Sequence, residues 1–356
     1  MYRFVTEIHN VQASSTIPDV AFHPNGSVFA ASYKENNEVR LYDSITKSLI
    51  RTYRNPEARF DWPHGVTMTN KHIIVSNKIK SKSKPCPPGI FNVYRIGDST
   101  GAPINVFKTP VKYLSEAHSF AVHNRRLLVT YCRRKSVWAI VSYSFNDETG
   151  QISGSTSILE SWFALHGAPK GLCFNEDGTK VIVTVDGTHL SKPVSDIIKP
   201  LSENVFLRTA KLVQSKFAKQ YIGQNKKSDK AVTDPYGIVI FDVDGDGVLS
   251  KDPVQTLVGS QFSRPENVSI VKGSCVIANV NNNTVNLYNF NGDHFPDSPI
   301  QVIQDHLSFP HDACLSPDKK MLVVTNYGIG VVNGEIKWGS FLHPRSDKLT
   351  FYELQK

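Results

Sequence analysis

Short runs in which apolar and polar residues alternate recur along the whole chain, separated by turn residues, and they come in groups of four. The first group reads Val20-Ala21-Phe22, then the turn His23-Pro24-Asn25-Gly26, then Val28-Phe29-Ala30-Ala31-Ser32. Glu38-Val39-Arg40-Leu41-Tyr42 follows, and a hairpin over Asp43 to Lys47 leads into Ser48-Leu49-Ile50-Arg51-Thr52-Tyr53. A period of two predicts half-buried β-strands. Each group opens on one signature. Trp62-Pro63-His64-Gly65-Val66 is its type, and Glu116-Ala117-His118-Ser119-Phe120 and Phe309-Pro310-His311-Asp312-Ala313 are its nearest copies. Ile17-Pro18-Asp19-Val20, Ala168-Pro169-Lys170-Gly171 and Arg264-Pro265-Glu266-Asn267 are looser ones. Gly-tipped hairpins such as Asp98 to Gly101, Asp147 to Gly150 and Asp244 to Gly247 close the outer strands, where a positive φ is needed.

Units starting near residues 17, 62, 116, 168, 264 and 309 predict an all-β, six-bladed β-propeller occupying residues 1–356 as one domain. The last unit stops at its third strand, Leu349 to Leu354. The orphan run Tyr2 to Ile8 is expected to supply the fourth, so that both termini close one blade and no sheet edge is left open. Residues 187–235 break the pattern. Phe206, Ala210, Val213, Phe217 and Tyr221 share one face at helical spacing, with Ser202 as N-cap, which predicts a helical lid inserted in blade four. Long connections after the second strands of blades two, four and six are all expected on the face where the signature residues open.

Composition fits this picture. Hydrophobic residues make up 40% and charged ones 20%, enough for a sizeable core and against disorder. The net charge of +8 is scattered except at Lys78 to Lys84 and Arg133-Arg134-Lys135, and no aromatic interleaving accompanies it, which argues against a nucleic-acid partner. Five cysteines without CxxC spacing argue against a disulfide framework. The chain has no long apolar run and no apolar stretch at its N-terminus, so a cytoplasmic protein without membrane attachment is expected. Oligomeric state is not encoded in any pattern.

The candidate chemistry lies at the blade entries. Asp19, His64, His118, Lys170, Glu266 and His311 occupy the third position of the signature, expected to point into the central pore, and none is apolar. Ionisable groups crowded in a narrow channel must pair, bind an ion or shift their titration. Imidazoles at His64, His118 and His311 suit a divalent metal ion (Zn, Fe, Mn or Ca). Glu266 or Asp19 is then a candidate base, and Lys170 or Tyr131 a candidate acid or oxyanion partner. A second ring is expected at the ends of the second strands: Tyr33, Asn77, Tyr131, Asp186, Asn279 and Asn326, suited to orienting a substrate. His166 and Arg264, just before their entries, are candidates for an anionic group of the substrate. Without a metal, the same His/Glu/Lys cluster supports general acid–base chemistry.

These segments carry a family resemblance. Phe309 to Asp318 and the Tyr143 to Gly150 hairpin resemble the propeller lactonases of the 6-phosphogluconolactonase type, which have seven blades. Six blades resemble the gluconolactonase (SMP-30), strictosidine synthase and NHL-repeat group. At the pore, the Pro-His segments resemble peptidyl-α-hydroxyglycine α-amidating lyase, whose three histidines hold Zn²⁺. That resemblance implies His64, His118 and His311 as metal ligands and hydrolase or lyase chemistry, although the lyase draws its ligands from alternate blades.

Asp242-Val243-Asp244-Gly245-Asp246-Gly247 begins like a Ca²⁺ loop, but Pro253 stands where the closing Glu belongs, so a Gly-rich turn is the simpler reading. No phosphate-binding Gly loop or GxSxG elbow occurs. The leading expectation is an enzyme acting on a small polar molecule at the pore. The competing one is a non-catalytic propeller scaffold.

Overall fold

The computed structural model describes residues 1–9, 16–55, 62–77, 89–109, 117–132, 138–186, 236–292, 294–327, 329–332, 335–338 and 348–355. Its strands assemble into six antiparallel four-stranded sheets. Blade one is β2 (Val20–Phe22), β3 (Val28–Tyr33), β4 (Glu38–Asp43) and β5 (Leu49–Tyr53). Blade two is β6 (Pro63–Met68), β7 (His72–Asn77), β8 (Ile90–Arg95) and β9 (Asn105–Lys108). Blade three is β10 (Ala117–His123), β11 (Arg126–Tyr131), β12 (Ala139–Asn146) and β13 (Gln151–Leu159). Blade four follows a short helix, α1 (Ser161–His166), and contains β14 (Ala168–Phe174), β15 (Lys180–Asp186), β16 (Tyr236–Asp242) and β17 (Gln255–Val258). Blade five is β18 (Pro265–Val271), β19 (Ser274–Asn279), β20 (Thr284–Asn289) and β21 (Gln301–Ile303).

Blade six joins the two ends of the chain. Its order is β22 (Pro310–Leu315), β23 (Met321–Asn326), β26 (Lys348–Leu354) and β1 (Tyr2–His9). The first strand is thus the outermost strand of the last blade, paired with β26 from Tyr2↔Leu354 to His9↔Lys348. The six first strands touch one another in sequence, and β22 returns to β2, so the ring is closed.

Alternation explains the packing. The middle strands of each blade are buried on both faces because a neighbouring blade covers each: Ile182, Ile238 and Ile240 of blade four pack with Val268, Cys275 and Ile277 of blade five. Phe29 of blade one packs with Val323 and Phe351 of blade six across the closure. The outer strands alternate with solvent, as the exposed Leu49, Val106, Ile158 and Val302 show. Cys173, Cys275 and Cys314 sit in or against these interblade layers, where burial pushes their thiols up, Cys314 to about 12. They are packing residues.

The expected helical insertion at 187–235, the basic segments Lys78 to Lys84 and Arg133 to Lys135, and Cys86 lie outside the described residues. The connection from β23 to β26 carries a two-stranded hairpin, β24 (Ile329–Val332) with β25 (Glu335–Trp338). Among the described residues, no helix is long and apolar enough to cross a membrane. The Asp242 to Gly247 segment is a turn between β16 and β17. Asp244 Oδ1 accepts from the Asp246 and Val248 amides, and Asp242 pairs with Lys180 at 2.8 Å, so local contacts engage two of its carboxylates.

Candidate functional site

Five of the six first strands carry the same irregularity at their entry. In β6, Pro63 pairs with Asn77 and Val66 with Val75, so His64 and Gly65 together face Ser76. The same two-against-one bulge places His118-Ser119 opposite Thr130, Lys170-Gly171 opposite Thr184, Glu266-Asn267 opposite Ala278 and His311-Asp312 opposite Thr325. A bulge bends its strand and re-aims one side chain. Here the first residue of each bulged pair is the one expected at the mouth.

A layer of hydroxyls fixes these bulges. The amide that the bulge removes from the ladder is caught in its own blade: Gly65 by Ser76 Oγ (2.8 Å), Ser119 by Thr130 Oγ1 (3.0 Å), Gly171 by Thr184 Oγ1 (2.8 Å) and Asp312 by Thr325 Oγ1 (3.0 Å). Equivalent hydroxyls then donate to the next blade, Ser32 Oγ to the His64 carbonyl at 2.7 Å and Thr130 Oγ1 to the Lys170 carbonyl at 2.6 Å. Sequence reasoning missed this layer. Its signal was a Ser or Thr shortly before the end of nearly every second strand.

The three histidines converge. One donor nitrogen from each of His64, His118 and His311 lies within 4.8 Å of the other two, and all three side chains are buried. Their ring centroids are 4.4 Å (His64–His118), 5.1 Å (His64–His311) and 5.6 Å (His118–His311) apart. His311 Nδ1 lies 2.7 Å from the Pro18 carbonyl and His64 Nδ1 3.2 Å from the His118 carbonyl. A carbonyl only accepts, so both Nδ1 atoms carry the proton, and in the neutral ring Nε2 is then the atom left to ligate, the arrangement that orients a metal-binding imidazole. Tetrahedral Zn–N bonds of about 2.0–2.1 Å place donors roughly 3.3 Å apart, within reach of small ring rotations from this geometry. Tyr327 stacks on His311 at 4.6 Å and backs it from the blade-six side.

Glu266 lies beside the triad. Its Oε2 is 3.2 Å from His118 Nε2, 3.5 Å from Lys170 Nζ and 3.9 Å from His311 Nε2, and its Oε1 accepts from Arg264 Nε at 2.7 Å. Burial alone would raise its pKa. The Lys170 ammonium, the His118 hydrogen bond and the Arg264 guanidinium outweigh that and hold it well below the usual carboxylate range. Lys170 shows the converse: burial acts to neutralise it, and Glu266 and other negative groups keep it charged, with its pKa raised. Arg264 and Phe309, each just before an entry proline, have φ of 55° and 54°. Residues preceding proline normally avoid this region, so the two turns that deliver Glu266 and His311 are strained.

Asp19 is a correction. Blade one has one residue fewer between its proline and its first core valine than blade two, and Val20 pairs with Ala31 as Val66 does with Val75. Pro18 therefore stands level with His64, and Asp19 with Gly65, one layer deeper. There Asp19 Oδ1 and Asp312 Oδ1 both accept from Asn267 Nδ2 (3.2 and 2.6 Å), and the backbone amides of Val20, Val66 and Ala313 supply further donors. Burial raises the pKa of both carboxyls, and the neighbouring Asp312 raises that of Asp19 further. This layer is packed tightly: a Cβ on Gly171 would lie 2.4 Å from the Asn267 Cα.

The expected second ring is mostly structural. Tyr33 and Tyr131 are fully buried, and their hydroxyls engage Tyr42 (2.6 Å) and Tyr143 (2.9 Å), so neither is offered to a ligand. Asn279 and Asn326 accept from the Ser263 and Ser308 amides at 3.2 and 2.7 Å and brace the strained turns. Asn77 is buried at the end of β7. Asp186 is half-buried and acts electrostatically on Lys170 and Arg264. His166 is buried against Trp162, 4.2 Å away, with Nδ1 on the Trp162 carbonyl at 2.8 Å.

No protein-family model matches the chain, and no curated protein matches its sequence. Solved structures do match in fold. The Kuenenia stuttgartiensis hydrazine synthase aligns over 93% of this chain and 97% of that one, at 12% identity and a TM-score of 0.53. The β-propeller domain of Myceliophteria thermophila Cps50 (Swd1) aligns over 100% of both, at 9% identity and a TM-score of 0.56. A chain of a mitotic checkpoint complex aligns over 99% of this chain and 94% of its own, at 10% identity and a TM-score of 0.56. At such identities the similarity establishes the propeller fold alone.

Proposed function

We propose that the protein is an enzyme acting on a small polar molecule at the pore mouth, with a divalent cation held by His64, His118 and His311. The observation that carries this reading is the convergence of three imidazole donors within 4.8 Å from three separate blades, two of the rings fixed through Nδ1 by backbone carbonyls. An N₃ donor set suits Zn²⁺ or another transition metal better than Ca²⁺, which takes oxygen ligands. Such an ion supplies Lewis-acid polarisation of a carbonyl and acidification of water.

The chain's own residues do the rest. Glu266 orients His118 and balances positive charge. While Lys170 and Arg264 hold it, its basicity is low, so it accepts a proton only when a substrate draws one of them away. Lys170 places an ammonium where charge develops on a substrate oxygen. Hydrolysis of an activated ester or lactone, elimination and isomerisation all use these elements. A non-catalytic scaffold would share the fold but has no need of ionisable groups buried at the axis.

Metal analysis after reconstitution with Zn²⁺, Mn²⁺ or Fe²⁺ tests the reading. One ion per chain is expected in the wild type, with loss in His64→Ala and His311→Ala, followed by turnover in a screen of lactones and hydroxy acids. A wild-type protein that takes up none of these ions overturns the metal centre.

A further inference from the structure

The charges around the triad bear on what it binds. Lys170 and Arg264 stand against Glu266 and Asp186, so these four charges beside the triad balance one another. A divalent cation on the three imidazoles adds two positive charges to this layer, in surroundings where the Glu266 side chain is only 2% exposed. Uncompensated charge in such a site is costly, and the ion's own charge dominates the local balance.

Lys170 is placed to accept the compensating group. Its side chain is 13% exposed, against 2% for Glu266, so it lies on the open side of the carboxylate. Its one direct ion-pair partner among the described residues is Glu266 Oε2, at 3.5 Å, longer than a good charge-assisted hydrogen bond. An ammonium has three donors, and this contact leaves donors to spare. The Lys170 carbonyl is fixed by Thr130 and its bulge by Thr184, so the side chain springs from a rigid point.

We propose that the pore-mouth centre takes a small organic oxyanion as substrate, with its charged group bound by Lys170 beside the cation on His64, His118 and His311. This rests on the metal reading above. The anion offsets the charge of the cation and fills the donors that Lys170 has to spare. A neutral molecule of the same shape does not offset that charge.

The test uses Co²⁺ as a spectroscopic ion in the full chain. Co²⁺ uptake is first titrated by its visible absorption. Acetate, methylphosphonate and neutral acetamide are then added in turn. The expected result is that the two anions perturb the Co²⁺ spectrum saturably and acetamide does not; whichever anion binds more tightly identifies a carboxylate or a phosphoryl substrate. Lys170→Met should keep one Co²⁺ per chain and weaken anion binding at least tenfold, while Lys170→Arg should restore most of it. Full Co²⁺ uptake with acetamide binding as well as acetate, or with anion affinity within threefold in Lys170→Met, overturns this proposal and leaves the metal centre standing. No stoichiometric Co²⁺ uptake overturns the metal reading and this inference with it.

Discussion

At the scale of single residues, Glu266 is where burial and charge compete most directly. It is buried and survives as an anion because Lys170, His118 and Arg264 surround it. Glu266→Gln keeps the shape but leaves two cations facing each other across a neutral amide. Breaking a buried ion pair in this way costs on the order of 3 kcal/mol at neutral pH. The pH dependence has a definite sign. The folded-state pKa is depressed, so the stabilisation is complete above the unfolded value of about 4.3 and is lost as pH falls below it. Urea unfolding of both proteins in chelator should therefore show a stability gap that is constant near neutrality and closes on acidification. Taking the difference removes the Asp19–Asp312 pair, whose raised pKa values act in the opposite sense. A gap unchanged between pH 7 and pH 3 would mean that Glu266 carries no charge worth protecting.

At the scale of elements, the same competition recurs where β1 closes blade six. Lys348 opens β26 with 0% exposure and pairs with Glu7 of β1, which also lies 3.5 Å from His306. Glu7→Ala strips the carboxylate from a buried ammonium and is expected to destabilise by about 3 kcal/mol. Glu7→Gln with Lys348→Met, which removes both charges, should recover most of that. Additive losses in this double-mutant cycle would contradict the pairing. The closure was legible in the sequence because an alternating strand without a partner stood at one end and a blade short of one strand at the other. The bulges were not legible. An inserted residue changes which side chain faces the axis without disturbing the alternation on either side, so aligning blade one on its proline put Asp19 level with His64. Aligning on the first core residue, Val20 with Val66, gives the observed layer. The outer ring misled for a related reason: Tyr33 and Tyr131 end their strands as the asparagines do, but a phenol that long reaches back into the interblade core, where Tyr42 and Tyr143 meet it.

At the scale of the whole molecule, the site belongs to the ring and to no single blade. His64 and His118 come from neighbouring blades and His311 from blade six, and their orientations depend on carbonyls across blade boundaries, His118 for His64 and Pro18 for His311. Metal affinity should therefore report ring closure. A cation that binds only the folded protein stabilises it by about 2.7 kcal/mol at a hundred times its Kd. In His311→Ala the ring is intact, so the chelated protein should still unfold cooperatively, losing about 1–3 kcal/mol for the buried contact with Pro18, and should show no Zn²⁺-dependent shift in Tm. Removal of residues 1–9 is the opposite experiment. It leaves His64, His118 and His311 in place but exposes the edge of β26 and loosens blade six against blade one, where the Val20 amide donates to Asp312 and His311 finds Pro18. Zn²⁺ affinity, measured by competition with a chromophoric chelator, should fall at least tenfold in the shortened chain. Undiminished affinity there would mean that the first strands hold the three imidazoles by their own packing, and that closure through β1 protects the sheet edge without setting the geometry of the centre.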